Sequence, residues 1–256
     1  MKEWQIDDEG FKARFVKLPD IIRDWTKDHL ELEVSAVLDF GCGQGITALG
    51  MAMRNNARQV CAVDIMPDVN QCLEVASATL GIKGLPSNIA LSQISPGEDF
   101  CPGQSFDLVY SWSVFEHVEQ GIFDSVLAQL HGKLKPGGYL FIQIAPLFFS
   151  AEGSHLFHRI PIPWGHLTIQ ESTYYSKLCN ACESREEVDA LWSCYQWLNR
   201  ITNIDLKRRV VASGFEMVRD YLTQDPHAEH MPASLLDVYQ QDVLLTNQIV
   251  LLARKA

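Results

Sequence analysis

Three glycines at alternate positions, with an acidic residue before and after them, form the most informative pattern in the sequence. Gly41, Gly43 and Gly45 directly follow the apolar run Ala36–Phe40, and a helical pattern begins after them. Glycines in such a strand-to-helix turn allow a ligand to approach the backbone closely. Short glycine patterns also occur in ordinary turns, so the residues around them decide the interpretation.

The glycine spacing argues against two nucleotide-binding motifs. A dinucleotide fingerprint requires G-x-G-x-x-G, and counting from Gly41 places Ile46 at the third glycine position, because Gly45 comes one residue too early. A P-loop is excluded because no lysine and hydroxyl pair follows the glycines. A nicotinamide-dependent dehydrogenase is therefore the weakest of the functions we considered.

Two acids end neighbouring predicted strands. Asp39 lies at the end of the first strand, and Asp64 ends the next one, 23 positions after Gly41. In an open parallel sheet, ligands bind beyond the carboxyl ends of the strands. A carboxylate at Asp64 can accept both hydroxyl protons of a ribose, and Asp39 can accept from a cationic amine.

Apolar runs alternate with helical patterns along the first 145 residues, which indicates βαβ units and a parallel sheet. Strands are predicted at 36–40, 60–64, 89–93, 106–112 and 139–145, with helices at 45–56, 68–80 and 114–134. Residues 146–202 are rich in aromatics, histidines and prolines and break the alternation. A helix at 204–212 and strands at 215–222 and near 248–253 resume it.

This order predicts one α/β domain with a helical and aromatic insertion after the fifth strand. We divide it into an N-terminal cover (1–35), a core (36–145), a lid or substrate insertion (146–202) and a C-terminal part of the sheet (203–256). The cover contains Trp4, Phe11 and a helical run at 19–30, and it either crosses the ligand cleft or covers the sheet.

Composition narrows the functional classes. The 256 residues carry 32 acids against 21 bases, a net charge of −11, which disfavours a broad nucleic-acid or anionic-membrane surface. No run of 18 apolar residues and no signal-like start is present, and we interpret the seven cysteines as reduced thiols. A cytoplasmic protein is the expectation.

Four motifs in order resemble those of the class I S-adenosylmethionine-dependent methyltransferases. They are the glycine segment 37–45, the strand end 62–67, the fourth-strand segment 105–118 (SFDLVYSWSVFEHV) and the turn 134–140 (LKPGGYL). The resemblance implies a Rossmann-like, doubly wound, mostly parallel seven-stranded sheet and S-adenosylmethionine as the cofactor. It covers the chain except for the insertion.

The resemblance also implies a set of cofactor-binding residues, with Asp64 on the ribose and Ile65 against the adenine. In the family an acid after the third strand often binds the adenine amine, but here Ser95 or Gly97 stands at that position, and Glu98 and Asp99 follow slightly later. Adenine recognition by Ser95, by a backbone group or by one of these acids is left open. The predicted cofactor-binding residues are Asp39, Gly41, Cys42, Gly43, Asp64, Ile65, Ser95, Ser111, Trp112 and His117.

For methyl transfer from a sulfonium, the protein must align the acceptor with the methyl group and exclude water. A base is needed only when the acceptor must lose a proton. Glu116 and His117 follow the fourth strand, and the insertion supplies further histidines near the same edge of the sheet. The candidate bases or acceptor-positioning residues are His117, His155, His158 and His166. Alternatively, His117 packs over the cofactor, and the other histidines bond to backbone or water.

The insertion's aromatic residues divide into two groups. A helical stripe favours packing, whereas four irregularly spaced rings are candidates for an acceptor pocket. The stripe is Leu191, Trp192, Tyr195 and Leu198, and the pocket candidates are Phe148, Phe149, Phe157 and Trp164.

No metal is predicted. Cys179 and Cys182 have ligand spacing, with Cys194 and His166 as possible partners, but a second close pair is missing and buried helical thiols are the default. The expected function is methylation of a small molecule at a hydroxyl, in a saccharide or secondary metabolite. The alternatives are a non-catalytic S-adenosylmethionine-binding module and a methylase of protein or RNA.

Overall fold

Seven strands form one sheet in the computed structural model, which describes Trp4 and residues 6–256. The strand order is β3-β2-β1-β4-β5-β7-β6, in which β1 to β5 are parallel to one another and β7 is antiparallel to both β5 and β6. The strands are β1 Ala36–Phe40, β2 Gln59–Asp64, β3 Ile89–Gln93, β4 Phe106–Trp112, β5 Leu134–Ile144, β6 Phe215–Gln224 and β7 Thr246–Lys255. The predicted mostly parallel seven-stranded sheet is confirmed.

Ten α-helices occur in the described residues, and they cover both faces of the sheet and form the insertion. They are α1 Glu9–Lys12, α2 Leu18–Thr26, α3 Ile46–Met53, α4 Cys72–Leu80, α5 Phe123–Lys133, α6 Gly165–Thr168, α7 Glu171–Ala181, α8 Arg185–Trp197, α9 Asn203–Ala212 and α10 Gln241–Leu245. A π-helical turn, Ala13–Lys17, joins α1 to α2. No helix within the described part of the chain is long and apolar enough to cross a membrane.

Strand order reverses between β1 and β4, and this reversal fixes where a ligand can bind. From β1 the chain runs outward to β2 and β3, and it then returns to pair β4 with the opposite side of β1. The connections leave the two carboxyl ends facing a common crevice at such a switch point. The apolar side chains of β1 and β4 are buried on both faces, which holds this edge rigidly.

Two of the differences from the predicted elements lie on either side of α5. The predicted helix at 114–134 occupies only Phe123–Lys133, and residues 115–117 instead form a turn closed by a bond from His117 N to Val114 O. β5 begins at Leu134 and not at 139 as predicted, so residues 135–138 form a bulge within the strand. Phe106 pairs with Leu134, whereas Leu108 pairs with Tyr139. Pro136 lacks an N–H to donate and Gly137 has φ +75°, so these residues cannot continue regular pairing.

The N-terminal helices pack beside the glycine loop. Phe11 and Phe15 are buried against Ile46 of α3 in an apolar cluster that also includes residues of α4. Arg14 reaches the loop itself, because its Nη1 donates to the Gln44 Oε1 at 3.0 Å. The helical pattern predicted at 19–30 therefore begins earlier, at Glu9, and covers the helix that follows the glycines.

The insertion has an apolar cluster of its own. It contains all four residues of the predicted packing stripe, so that prediction is confirmed. Trp164 was predicted for the acceptor pocket, which is wrong: its ring is fully buried and its Nε1 donates to Phe149 O at 3.1 Å. Phe148 is also buried, stacked against Tyr195 at a centroid distance of 6.2 Å.

Candidate functional site

The loop after β1 presents an open backbone surface. Gly41 and Gly43 adopt φ values of +78° and +53°, a region that residues with a Cβ rarely occupy. A Cβ on Gly41 would overlap the side chain of Val114, whereas one on Gly43 would meet nothing within 4 Å. The loop is therefore packed on one side by the turn after β4 and open to a ligand at Gly43.

Asp64 is fixed at this opening by two backbone groups. Gly43 N donates to its Oδ2 at 2.6 Å, and Met66 N donates to its Oδ1 at 2.8 Å. Each carboxylate oxygen can accept a second hydrogen bond, as a ribose diol requires. The next two side chains, Ile65 and Met66, are 51% and 56% exposed, and they form an apolar surface beside the carboxylate.

Asp39 is buried at the end of β1. Its Oδ2 accepts a hydrogen bond from the Tyr110 hydroxyl of β4 at 2.8 Å. Burial raises the pKa of Asp39 to about 7; the nearby Asp64 raises it as well, while the Tyr110 bond opposes the rise. Ser111 follows on β4, and its Oγ donates to Phe40 O at 2.9 Å.

The loop after β3 contains the alternatives for adenine recognition. The Glu98 carboxylate accepts from the Ser95 backbone N–H at 2.8 Å, and Asp99 pairs with Lys133 of α5 at 2.7 Å. Both acids are therefore engaged within the protein. Ser95 is exposed at the carboxyl end of β3, where it stays our prediction for the adenine contact.

Cys42 and Trp112 flank the crevice. The Cys42 thiol is half-buried and contacts Gly43 O at 3.6 Å; burial raises its pKa, so it stays protonated. The Trp112 indole stacks on Phe141 of β5 with centroids 6.1 Å apart. Both side chains shape the walls around the glycine loop and the end of β4.

Two of the four predicted histidines come together next to the cofactor crevice. The rings of His117 and His155 lie edge to face with centroids 5.5 Å apart. His155 Nε2 lies 3.1 Å from Pro146 O, and since a carbonyl only accepts, Nε2 carries the hydrogen and Nδ1 keeps its lone pair. Burial lowers the pKa of both rings, that of His117 to about 4, so both are neutral at pH 7.

The other two histidines take different positions. His166 bonds to Phe148 O through Nε2 at 2.6 Å, and its Nδ1 is buried without a hydrogen-bond partner among the described residues. Burial lowers the pKa of His166 to about 4. His158 is exposed on the insertion surface, where it acts electrostatically on Glu187.

Asn199, which the sequence did not single out, holds the turn that carries His117. Its Nδ2 donates to the backbone carbonyls of Phe115 and Val118 at 2.6 and 2.7 Å, and its backbone N donates to Glu116 O at 2.8 Å. The end of the insertion is thus bonded to the turn after β4. A long-range contact of this kind leaves no local sequence signal.

Glu116 is an unusual buried acid in this turn. It is only 3% exposed, and neither carboxyl oxygen has a hydrogen-bond partner in the described part of the chain. Burial raises the pKa of Glu116 to about 8, so it is largely protonated at neutral pH. Its position next to His117 was visible in the sequence, but its isolation was not.

Comparison with known proteins places this geometry in a family. The model of a methyltransferase domain matches residues 14–220, most of the chain. This chain belongs to the S-adenosylmethionine-dependent methyltransferases. The family's cofactor, S-adenosylmethionine, fits the crevice, since Gly43 leaves open space beside the Asp64 carboxylate and an exposed apolar surface.

Individual relatives and solved structures are similar to this methyltransferase. A ubiquinone biosynthesis O-methyltransferase of Xanthomonas oryzae pv. oryzae (strain PXO99A) is 30% identical over 139 residues, 53% of this chain and 54% of the relative. The match thus spans about half the length of that curated protein. The structure of a putative sarcosine dimethylglycine methyltransferase from Galdieria sulphuraria has a TM-score of 0.59 at 14% identity and covers 94% of this chain and 86% of its own.

A second solved structure contains a bound cofactor product. It is magnesium protoporphyrin IX methyltransferase from Synechocystis PCC 6803 with bound S-adenosylhomocysteine, with a TM-score of 0.54 and 14% identity. The match covers all of this chain and 90% of that one. At this identity the similarity shows the shared fold alone.

Proposed function

We propose that this chain transfers a methyl group from S-adenosylmethionine to a hydroxyl oxygen of a small molecule. The observation that carries the proposal is the turn 114–118, which packs on the glycine loop through Val114 and presents His117 to His155 of the insertion. A nucleophile held at these rings would lie beside the cofactor crevice. The name O-methyltransferase of the curated relatives supports oxygen as the acceptor atom.

Different residues of the chain would bind the cofactor and accept the proton. Asp64 and the Gly43 backbone would hold the ribose, Asp39 the amino group, and Ile65 the adenine face. S-adenosylmethionine, when bound, would supply a methyl group for in-line attack by the acceptor oxygen, with the neutral thioether as the leaving group. Nδ1 of His155 would accept the proton that the acceptor hydroxyl loses.

His155 suits the role of proton acceptor on two grounds. Its Nε2–H bond to Pro146 O fixes the ring so that Nδ1 has the lone pair. Its lowered pKa keeps it in the basic, neutral form at pH 7. His117 positions the acceptor against it, and His166 lies behind as a buried neighbour that interacts with His155 electrostatically.

The test is methyl transfer from labelled S-adenosylmethionine to catechol, a sugar alcohol, an aliphatic amine and a carboxylic acid. We expect transfer to a hydroxyl compound, and His155→Ala should lower kcat by about 10²–10⁴, the usual contribution of a general base. Affinity for S-adenosylhomocysteine, measured by calorimetry, should be unchanged. His230→Ala, at an exposed histidine outside the insertion, is the control.

Other outcomes would identify the alternatives. Full cofactor affinity without turnover on any of these acceptors favours a non-catalytic binding module. Methylation of a protein or RNA fraction instead favours a macromolecular substrate, although the net charge of −11 disfavours RNA. Transfer only to the amine or the acid, or full activity in His155→Ala, would contradict the hydroxyl mechanism.

A further inference from the structure

Three metal-ligating side chains from distant parts of the chain converge beside the crevice. The potential ligand atoms of His117, His155 and Cys194 all lie within 4.8 Å of one another. His117 is in the turn after β4, His155 in the loop after β5, and Cys194 in the last turn of α8. Within Trp4 and residues 6–256, no other group of three such side chains comes this close.

The orientation of His155 suits a metal ligand. Histidine ligands usually donate the N–H of the ring nitrogen that does not bind the metal to a carbonyl or carboxylate, which fixes the tautomer. Here the Nε2–H of His155 donates to Pro146 O, so the free lone pair is on Nδ1. The tautomer that binding through Nδ1 requires is therefore already set.

Glu116 provides an independent observation. Both of its carboxyl oxygens are buried without a hydrogen-bond partner among the described residues, and the group is close enough to Cys194 to act on its thiol electrostatically when ionised. Burying an unpartnered carboxylate costs free energy unless an opposite charge lies nearby. A cation bound at the neighbouring cluster would supply that charge.

We propose that His117, His155 and Cys194 bind a divalent transition-metal ion of the zinc class. Two imidazoles and one thiolate are a borderline-soft ligand set that suits Zn²⁺ or Co²⁺. Three protein ligands leave a fourth position open, as in catalytic zinc sites, and the exposed Cys194 gives the ion a route in. The cysteine pair noted in the sequence, Cys179 and Cys182, is not part of this cluster.

The open position has a role that rests on the proposed function. An acceptor hydroxyl bound there would have its pKa lowered by the ion, and its proton would leave to solvent water as the hydroxyl becomes an alkoxide or phenoxide. In the metal-bound enzyme His155 is then a ligand, and the ion replaces it in activating the acceptor.

Binding is tested with Co²⁺ on the full chain after treatment with a chelator. We expect one equivalent to give visible d–d bands and a thiolate-to-cobalt charge-transfer band in the near ultraviolet. Cys194→Ser should remove the charge-transfer band, and His155→Ala should weaken cobalt binding by at least 10-fold, as loss of a ligand does. Cys179→Ser, at an exposed cysteine outside the cluster, should leave the spectrum unchanged.

The result that overturns the proposal is the absence of a charge-transfer band, or a band that persists in Cys194→Ser. Binding that responds equally to Cys179→Ser would indicate an adventitious ion only. The cobalt spectrum is measured without a methyl acceptor, so it tests the metal site independently of the proposed function. If the site binds cobalt but the enzyme methylates no hydroxyl compound, the metal site stands and the proposed function falls.

Discussion

We expect the carboxyl group of Asp39 to link the stability of the unliganded protein to cofactor binding. Its burial raises the pKa to about 7, so the folded state binds the proton more tightly than the unfolded chain does. The stabilising contribution of that proton is complete below pH 4 and is lost as the pH rises through 7. Asp39→Asn removes the titration while leaving an amide oxygen for Tyr110.

The size of the effect follows from the pKa. A rise from 3.8 to about 7 spans roughly three pH units. Each unit corresponds to about 1.4 kcal/mol, so the free energy of unfolding of wild type should fall by up to about 4 kcal/mol between pH 4 and 7. Asp39→Asn should not show this fall. The variant's amide hydrogens add a cost of about 1–3 kcal/mol for an unpaired buried donor, but this cost does not change with pH.

Urea unfolding at pH 5 and pH 8, followed by tryptophan fluorescence, measures the difference. The free energy of unfolding of Asp39→Asn relative to wild type should increase by about 2–3 kcal/mol between these two values, because part of the titration lies below pH 5. Asp68→Asn removes an equal charge from an exposed position and controls for net charge. An equal difference at both pH values would refute the argument that burial holds the Asp39 proton.

Cofactor binding gives a second readout of the same group. A protonated Asp39 cannot act as the anionic partner of a cationic amine, so S-adenosylhomocysteine should bind up to about tenfold more weakly for each pH unit below 7. In Asp39→Asn, binding should be weaker at pH 8 and nearly independent of pH. Wild-type affinity that is constant between pH 5.5 and 8 would show that the amine does not use Asp39.

Three further substitutions test the supporting contacts. Tyr110→Phe removes the hydroxyl that bonds to Asp39, so it should raise the pKa of that acid further and lower stability at pH 8 by about 1–3 kcal/mol in urea titrations. Asn199→Ala frees the turn after β4 and should lower kcat by about tenfold or more while cofactor affinity changes little, since a small misplacement of catalytic groups is costly. Trp164→Phe should lower stability by about 1–3 kcal/mol without changing the KM of the acceptor, because the ring lies in the core.

The sequence predicted the sheet well because the relevant signals are local. The buried runs Ala36–Phe40 and Phe106–Trp112 match their strands in the structure, and β3 matches too. The errors arose where long-range contacts override the local pattern. The segment after β4 has a helical sequence, but Asn199 takes the carbonyls of Phe115 and Val118 that a helix would use.

The cofactor crevice was also predictable, because glycines and acids at strand ends are visible in sequence and a parallel sheet brings them together. The arrangement of the proposed acceptor site could not be predicted from the sequence. His155 and His117 are 38 positions apart, and only the packing of the insertion sets their contact. The isolation of Glu116 and the approach of Cys194 depend on three segments folding together, so spacing along the chain gives no sign of them.

The arrangement separates the two binding tasks structurally. The ends of the insertion, at Leu147 and Ile201, pack into the core of the sheet, whereas its middle packs into a cluster of its own. Changes in that cluster can therefore reshape the acceptor side while β1, β2 and β4 keep the cofactor crevice intact. The turn 114–118 is the exception, since Val114 packs on Gly41 and His117 faces His155. A substitution in this turn should therefore affect both sites, and we expect the turn to set the alignment of methyl group and acceptor.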